Sequence, residues 1–124
     1  MAYSVATPAG QTVQNILNDL PGLLAVAIVD ISSGMTLASH ANSSINPETA
    51  AAYNTEVVKQ KLKAMTALKL QGETIDDILT TLSNQLHLIK LVGDKKFVYL
   101  VVNSRDTNLA IAREVVRQHA ELLK

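Results

Sequence analysis

Three histidines, two adjacent aspartates and a run of lysines are the side chains in this sequence with the chemistry to build a site. His40, His87 and His119 are scattered. None has a second histidine four residues away or an acid at metal-ligand spacing, so each reads as a surface or packing residue and no metal site is expected. Asp76-Asp77 has the composition of a carboxylate pair. Adjacent residues of a strand point to opposite faces, however, so the two cannot share a proton or a metal there; a helix cap or an edge-strand charge is the ordinary use. Lys59, Lys61, Lys63 and Lys69 crowd the second half of a predicted helix. Lysine late in a helix complements the dipole and solubilises an exposed face. A basic cluster also steers an acidic partner, which makes Lys59, Lys61 and Lys63 candidates for partner docking. There is no GxxxxGK[ST] or GxGxxG phosphate loop, so the chain does not read as a GTPase. With no cysteine, disulfides and thiolate chemistry are excluded. No residue set meets the geometric needs of a reaction, so neither an enzyme nor a cofactor is expected.

Bulk properties narrow the partners. Lys and Arg total 11 against 11 Asp and Glu, so the chain lacks the electrostatic footprint of a nucleic-acid binder, and no repulsion opposes self-association. At 48% apolar residues over 124 positions, the sequence supports one globular domain, 1–124, with 1–6 a loose terminus. MAYSVATPAG has neither a basic stretch nor an apolar core, so no signal peptide is expected. The longest apolar run, Leu23–Val29, is too short to cross a bilayer, and no membrane insertion is expected. Together with the missing cysteines, these features give a cytoplasmic location as the expectation.

The elements that position these residues follow from periodicity and punctuation. Thr7-Pro8 starts a helix carrying Val13, Ile16, Leu17 and Leu20 on one stripe, and Pro21-Gly22 stops it. Leu23–Ile31 is a strand buried on both faces. Ser32-Ser33-Gly34 turns the chain, with Asp30 and Gly34 serving that turn, and Met35–His40 returns as an edge strand. Asn46-Pro47-Glu48 starts a second helix running to about Leu68, with Tyr53, Val57, Leu62 and Met65 facing one way. Glu73–Asn84 is ambiguous: Ile75, Ile78, Leu79 and Leu82 fit a helical stripe, and a strand is acceptable on propensity. Gln85–Val92 and Phe97–Val102 form a hairpin about Gly93-Asp94. The last strand then feeds a helix capped by Asp106 or Thr107, with Leu109, Ala112, Val116 and Leu123 on its apolar stripe. Hairpin-linked strands make an antiparallel sheet, and three helices must cover it.

Three phrases in this order carry a family resemblance. VAIVDISSGMTLAS at Val26–Ser39, HLIKLV at His87–Val92 and FVYLVVNSRDTNLAIAR at Phe97–Arg113 resemble the first hairpin, the fourth strand and the final strand-helix junction of the roadblock/LC7 family. The resemblance implies an α+β fold, an α/β/α sandwich of profilin-like type, with the order α-β-β-α-β-β-β-α around a five-stranded antiparallel sheet. It implies that Thr74–Ser83 is an edge strand and that two copies pair along it, with Ile78, Leu79, Thr80 and Leu82 at the seam and Tyr53 and Val57 meeting their symmetry mates or the sheet beneath. It further implies a non-catalytic, homodimeric module that binds and regulates or scaffolds a small Ras-like GTPase. Arg113, within the matched Asn-Leu-Ala-x-Ala-Arg phrase, joins the docking candidates. The alternative is a small-ligand sensor, or a scaffold subunit without GTPase specificity, which would need a polar-edged pocket between sheet and helix.

Overall fold

The computed structural model describes residues 3–124. Its elements run α1 (Pro8–Asp19), β1 (Leu23–Asp30), β2 (Thr36–Ala41), α2 (Pro47–Ala67), β3 (Asp77–Thr81), β4 (Gln85–Val92), β5 (Lys96–Asn103) and α3 (Leu109–Ala120), ending in a tight turn of 3-10 helix at Glu121–Leu123. All five strands are antiparallel, in the spatial order β2-β1-β5-β4-β3. The expected α+β sandwich and element order are both present.

Each layer follows from side-chain alternation. β1 and β5 are central and apolar on both faces. Val26, Ile28, Val98, Leu100 and Val102 point toward α1 and α3, while Ala25, Ala27, Val29, Phe97, Tyr99 and Val101 point toward α2. The two helices of the first layer pack Val13, Ile16, Ala112 and Val116 into one core; α2 packs Ala51 and Val58 into the other. Local chemistry sets the ends. The Thr7 hydroxyl accepts the Gly10 N–H at 3.0 Å, and the Asn46 side chain accepts the Thr49 N–H at 3.0 Å, each with proline next in line. Gly34 and Gly93, at φ 73 and 63, turn the β1–β2 and β4–β5 hairpins.

Three local expectations are corrected. The cap of α3 is Asn108, whose side-chain oxygen accepts the Ile111 N–H at 2.9 Å, and neither Asp106 nor Thr107. Three consecutive residues could serve; the chain turns helical one step later, leaving Thr107 buried beneath the junction. Of the expected edge strand Thr74–Ser83, only Asp77–Thr81 is strand; Thr74–Asp76 and Leu82 carry no regular structure and Ser83 lies in a bend. The stripe of α2 that meets the sheet is Ala51, Thr55 and Val58, so of the two places expected for Tyr53 and Val57 the sheet beneath is ruled out, and Leu62 and Met65 are not buried against it either. Small side chains let the helix lie close to the sheet, and the larger ones are turned away from it.

Candidate functional site

β3 forms one rim of the sheet. It pairs with β4 from Asp77↔Lys90 to Thr81↔Leu86, and among the described residues its outer edge has no strand partner. Its backbone N–H and C=O groups on that side are therefore open to a second chain. Ile78 packs with the α2-side core and Leu79 with the opposite one, so the two sit on different faces of the rim. Thr80 is exposed. Leu82 lies just past the strand, where its N–H bonds to the Gln85 carbonyl at 2.9 Å and closes the β3–β4 turn.

The second half of α2 leans toward this rim without covering it. After Val58 no residue of the helix is buried. Lys61, Ala64, Met65 and Leu68 form one wall of an open groove of about 410 Å³, with Ile75, Ile78 and Leu79 along the other side. Tyr53 is 74% exposed, Leu68 68% and Val57 42%. A free strand edge and a half-packed helix thus run side by side, and both present apolar groups to solvent.

The predicted docking residues do not form one patch. At 100° per residue, Lys59 and Lys63 share a flank of α2, with Glu56 close by at i−3 to Lys59, while Lys61 stands on the other flank at the groove. Arg113 reaches back from α3 to β3 and donates to the Asp77 carboxylate from two of its nitrogens, at 2.8 and 3.0 Å. That bond raises the Arg113 pKa further. It also explains the aspartate pair: Asp77 is engaged by a guanidinium, and Asp76 is exposed in the segment before the strand. The pairing spans 36 residues and carries no local sequence signal.

The histidines are far apart in role. His40 stacks edge-on against Tyr3, and His119 joins α3 to Asp19 at the end of α1, 2.6 Å away. His87 belongs to a small polar group on the α2 side of β4: one ring nitrogen meets Gln85 Oε1 at 2.8 Å, the other the Tyr99 hydroxyl at 3.1 Å. Burial pushes the imidazole pKa down and the Tyr99 phenol up, with the Asn54 amide opposing the latter. This group escaped the sequence reading, although the strand spacing that puts Gln85 and His87 on one face was visible. No cluster of three or more metal-ligating side chains occurs among the described residues. No helix among them is long and apolar enough to cross a membrane.

No family model matches the sequence, and no curated protein does. Solved structures do match. A roadblock/LC7 domain from Streptomyces avermitilis superposes with a TM-score of 0.77 at 10% identity, over 90% of either chain. The gliding protein mglB of Thermus thermophilus gives 0.72 at 18% identity, over 94% of this chain and 85% of that one. Profilin II of Acanthamoeba castellanii gives 0.55 at 18% identity, over 82% and 85%. With a five-stranded antiparallel sheet between two helices and one, and these neighbours, the chain has a roadblock/LC7 fold of the profilin-like type.

Proposed function

We propose that this chain is a non-catalytic interaction module that pairs with a second copy along β3 and α2 and offers the joined surface to a small Ras-like GTPase. The observation that carries the pairing is the open rim of β3 beside the uncovered half of α2. Strand addition across a two-fold axis satisfies the rim's backbone groups and buries the apolar groove in one step. The GTPase rests on the resemblance of the three sequence phrases to the roadblock/LC7 family and on the fold shared with the mglB gliding protein. Of the candidate docking residues, Lys61 lines the groove and Arg113 holds Asp77 at the rim, while Lys59 and Lys63 stand on the other flank of α2. This role needs no cofactor and suits a cytoplasmic location.

Two measurements test it. Light scattering on the purified chain at micromolar concentration is expected to give the mass of a dimer. Ile78→Asp is expected to give a monomer, because burying an unpaired carboxylate at the seam costs several kcal/mol. A wild-type monomer overturns the pairing. For the partner, capture from native lysate with and without a non-hydrolysable GTP analogue is expected to retain a GTPase in a nucleotide-dependent way; retention of none overturns the GTPase assignment.

A further inference from the structure

The polar group around His87 lies where a second copy would come to rest. His87 sits directly across from Thr80 of β3 and shares the α2 side of the sheet with Tyr99. α2 lies over β1 and β2, and its free half turns toward the beginning of β3, so it leaves the far end of the β3–β4 pair open. Antiparallel pairing of two copies of Asp77–Thr81 in full overlap, the register that satisfies the whole rim, would centre the two-fold axis on Leu79 and set Thr80 of one copy beside Ile78 of the other. The overhanging half of α2 that belongs with Ile78 then arrives above Thr80 and His87 of its mate.

We propose that dimerisation of this chain is pH-dependent, with His87 as the sensing group at the seam; the inference rests on the pairing proposed above. The neutral ring is already fully used. Its Nε2–H donates to Gln85 Oε1, and its Nδ1 accepts the Tyr99 hydroxyl proton. A second ring proton would meet the Tyr99 hydroxyl head-on and force it to rotate. The elements packed against the ring offer no compensating anion: β5 brings the Tyr99 phenol, β3 Thr80, β4 Gln85, and α2 the Asn54 amide beside Tyr99. Among the described residues no carboxylate is hydrogen-bonded or ion-paired to His87. The groove that a second copy brings is lined by Lys61 and by Asp77, whose carboxylate is already engaged by Arg113.

The sign follows by linkage. Burial already favours the neutral ring in the single chain. Covering it with the apolar half of a helix removes more water and lowers its proton affinity again, so the dimer holds fewer protons than two separate chains. Association is then at full strength above the imidazole range and weakens as pH falls through it. Two rings are buried per dimer and their effects multiply, so acidification from about pH 7.5 to about pH 5.5 is expected to raise the dissociation constant severalfold.

Sedimentation equilibrium of the whole chain at both pH values, with His87→Gln and with His119→Gln as a control away from the seam, tests this. The expected result is a wild-type dimer that weakens on acidification, a His119→Gln protein that behaves likewise, and a His87→Gln dimer with little response. A dimer that holds or tightens at acid pH overturns the inference and leaves the pairing intact, as does an undiminished response in His87→Gln. A wild-type monomer at about pH 7.5 overturns the pairing itself. Should His87→Gln fail to fold, NMR titration of the wild-type imidazole decides. The midpoint is expected to be lower in concentrated than in dilute protein, and equal midpoints overturn the proposal.

Discussion

Lys69 ends α2 in a conformation that suits a different residue. The helix closes with the Leu70 N–H on the Met65 carbonyl at 2.8 Å and the Lys69 N–H on the Thr66 carbonyl at 3.0 Å, the paired bonds of a terminating turn. Such a turn requires a left-handed residue, and Lys69 has φ 61, the only positive φ outside glycine among the described residues. A Cβ in that region is strained by about 1–2 kcal/mol, and glycine removes the strain while adding some freedom to the unfolded chain. Lys69→Gly is therefore expected to stabilise the protein by about 0.5–1 kcal/mol. Urea unfolding at fixed protein concentration checks it: the midpoint should rise with the slope unchanged, and a lower midpoint means the lysine side chain contributes more than the strain costs. The same single-residue logic governs His87, where burial favours the neutral ring between its Gln85 and Tyr99 partners.

At the scale of elements, β3 is the weakest-held part of the sheet, and Arg113 compensates. The strand is five residues long, pairs on one side, and is half-buried at best. The bidentate bond from α3 ties its first residue to the helix layer. Arg113→Ala is expected to leave the melting temperature nearly unchanged, since the pair is at the surface, and to speed amide exchange in β3 ahead of β4 and β5. Equal exchange in all three strands would mean that the ladder alone holds the rim. This weakness is also why β3 was the element least legible in the sequence. Ile75, Ile78, Leu79 and Leu82 repeat with helical spacing, and only the family resemblance argued for a strand. Long or central elements were plain: β4 runs from Gln85 to Val92 as alternation indicated, and Asn46-Pro47 opens α2. The face of α2 was not plain, because periodicity weights large apolar residues, whereas close approach to the sheet selected Ala51, Thr55 and Val58. The lysine run was visible, but its division between two flanks depends on helix phase. The Arg113–Asp77 bond, made across the fold, had no signal at all.

For the whole molecule, the two rims of the sheet differ in a way that favours a closed pair over open-ended growth. β2 is the other edge, and its ladder is interrupted: Ile28 pairs with Ala38 and Val29 with Thr36, leaving Leu37 as an extra, bulged residue. A bulge twists an edge away from added strands. β3 has no such interruption from Asp77 to Thr81. With zero formal charge on the chain, repulsion between copies is weak, so the edges decide which contact forms. If the pair forms at β3, the exposed half of α2 must gain cover that the single chain does not give it. That half is rich in strong helix formers, Lys, Gln, Leu, Ala and Met, yet a stretch this short is only marginally helical without packing. Amide exchange in residues 59–67 is therefore expected to slow as protein concentration rises through the dimer range, while exchange in residues 51–58, already seated on the sheet, stays constant. Ile78→Asp should remove the concentration dependence and keep the fast exchange of residues 59–67. Exchange in that half that is slow and independent of concentration would mean that α2 is stable alone and that the groove beside it has another purpose.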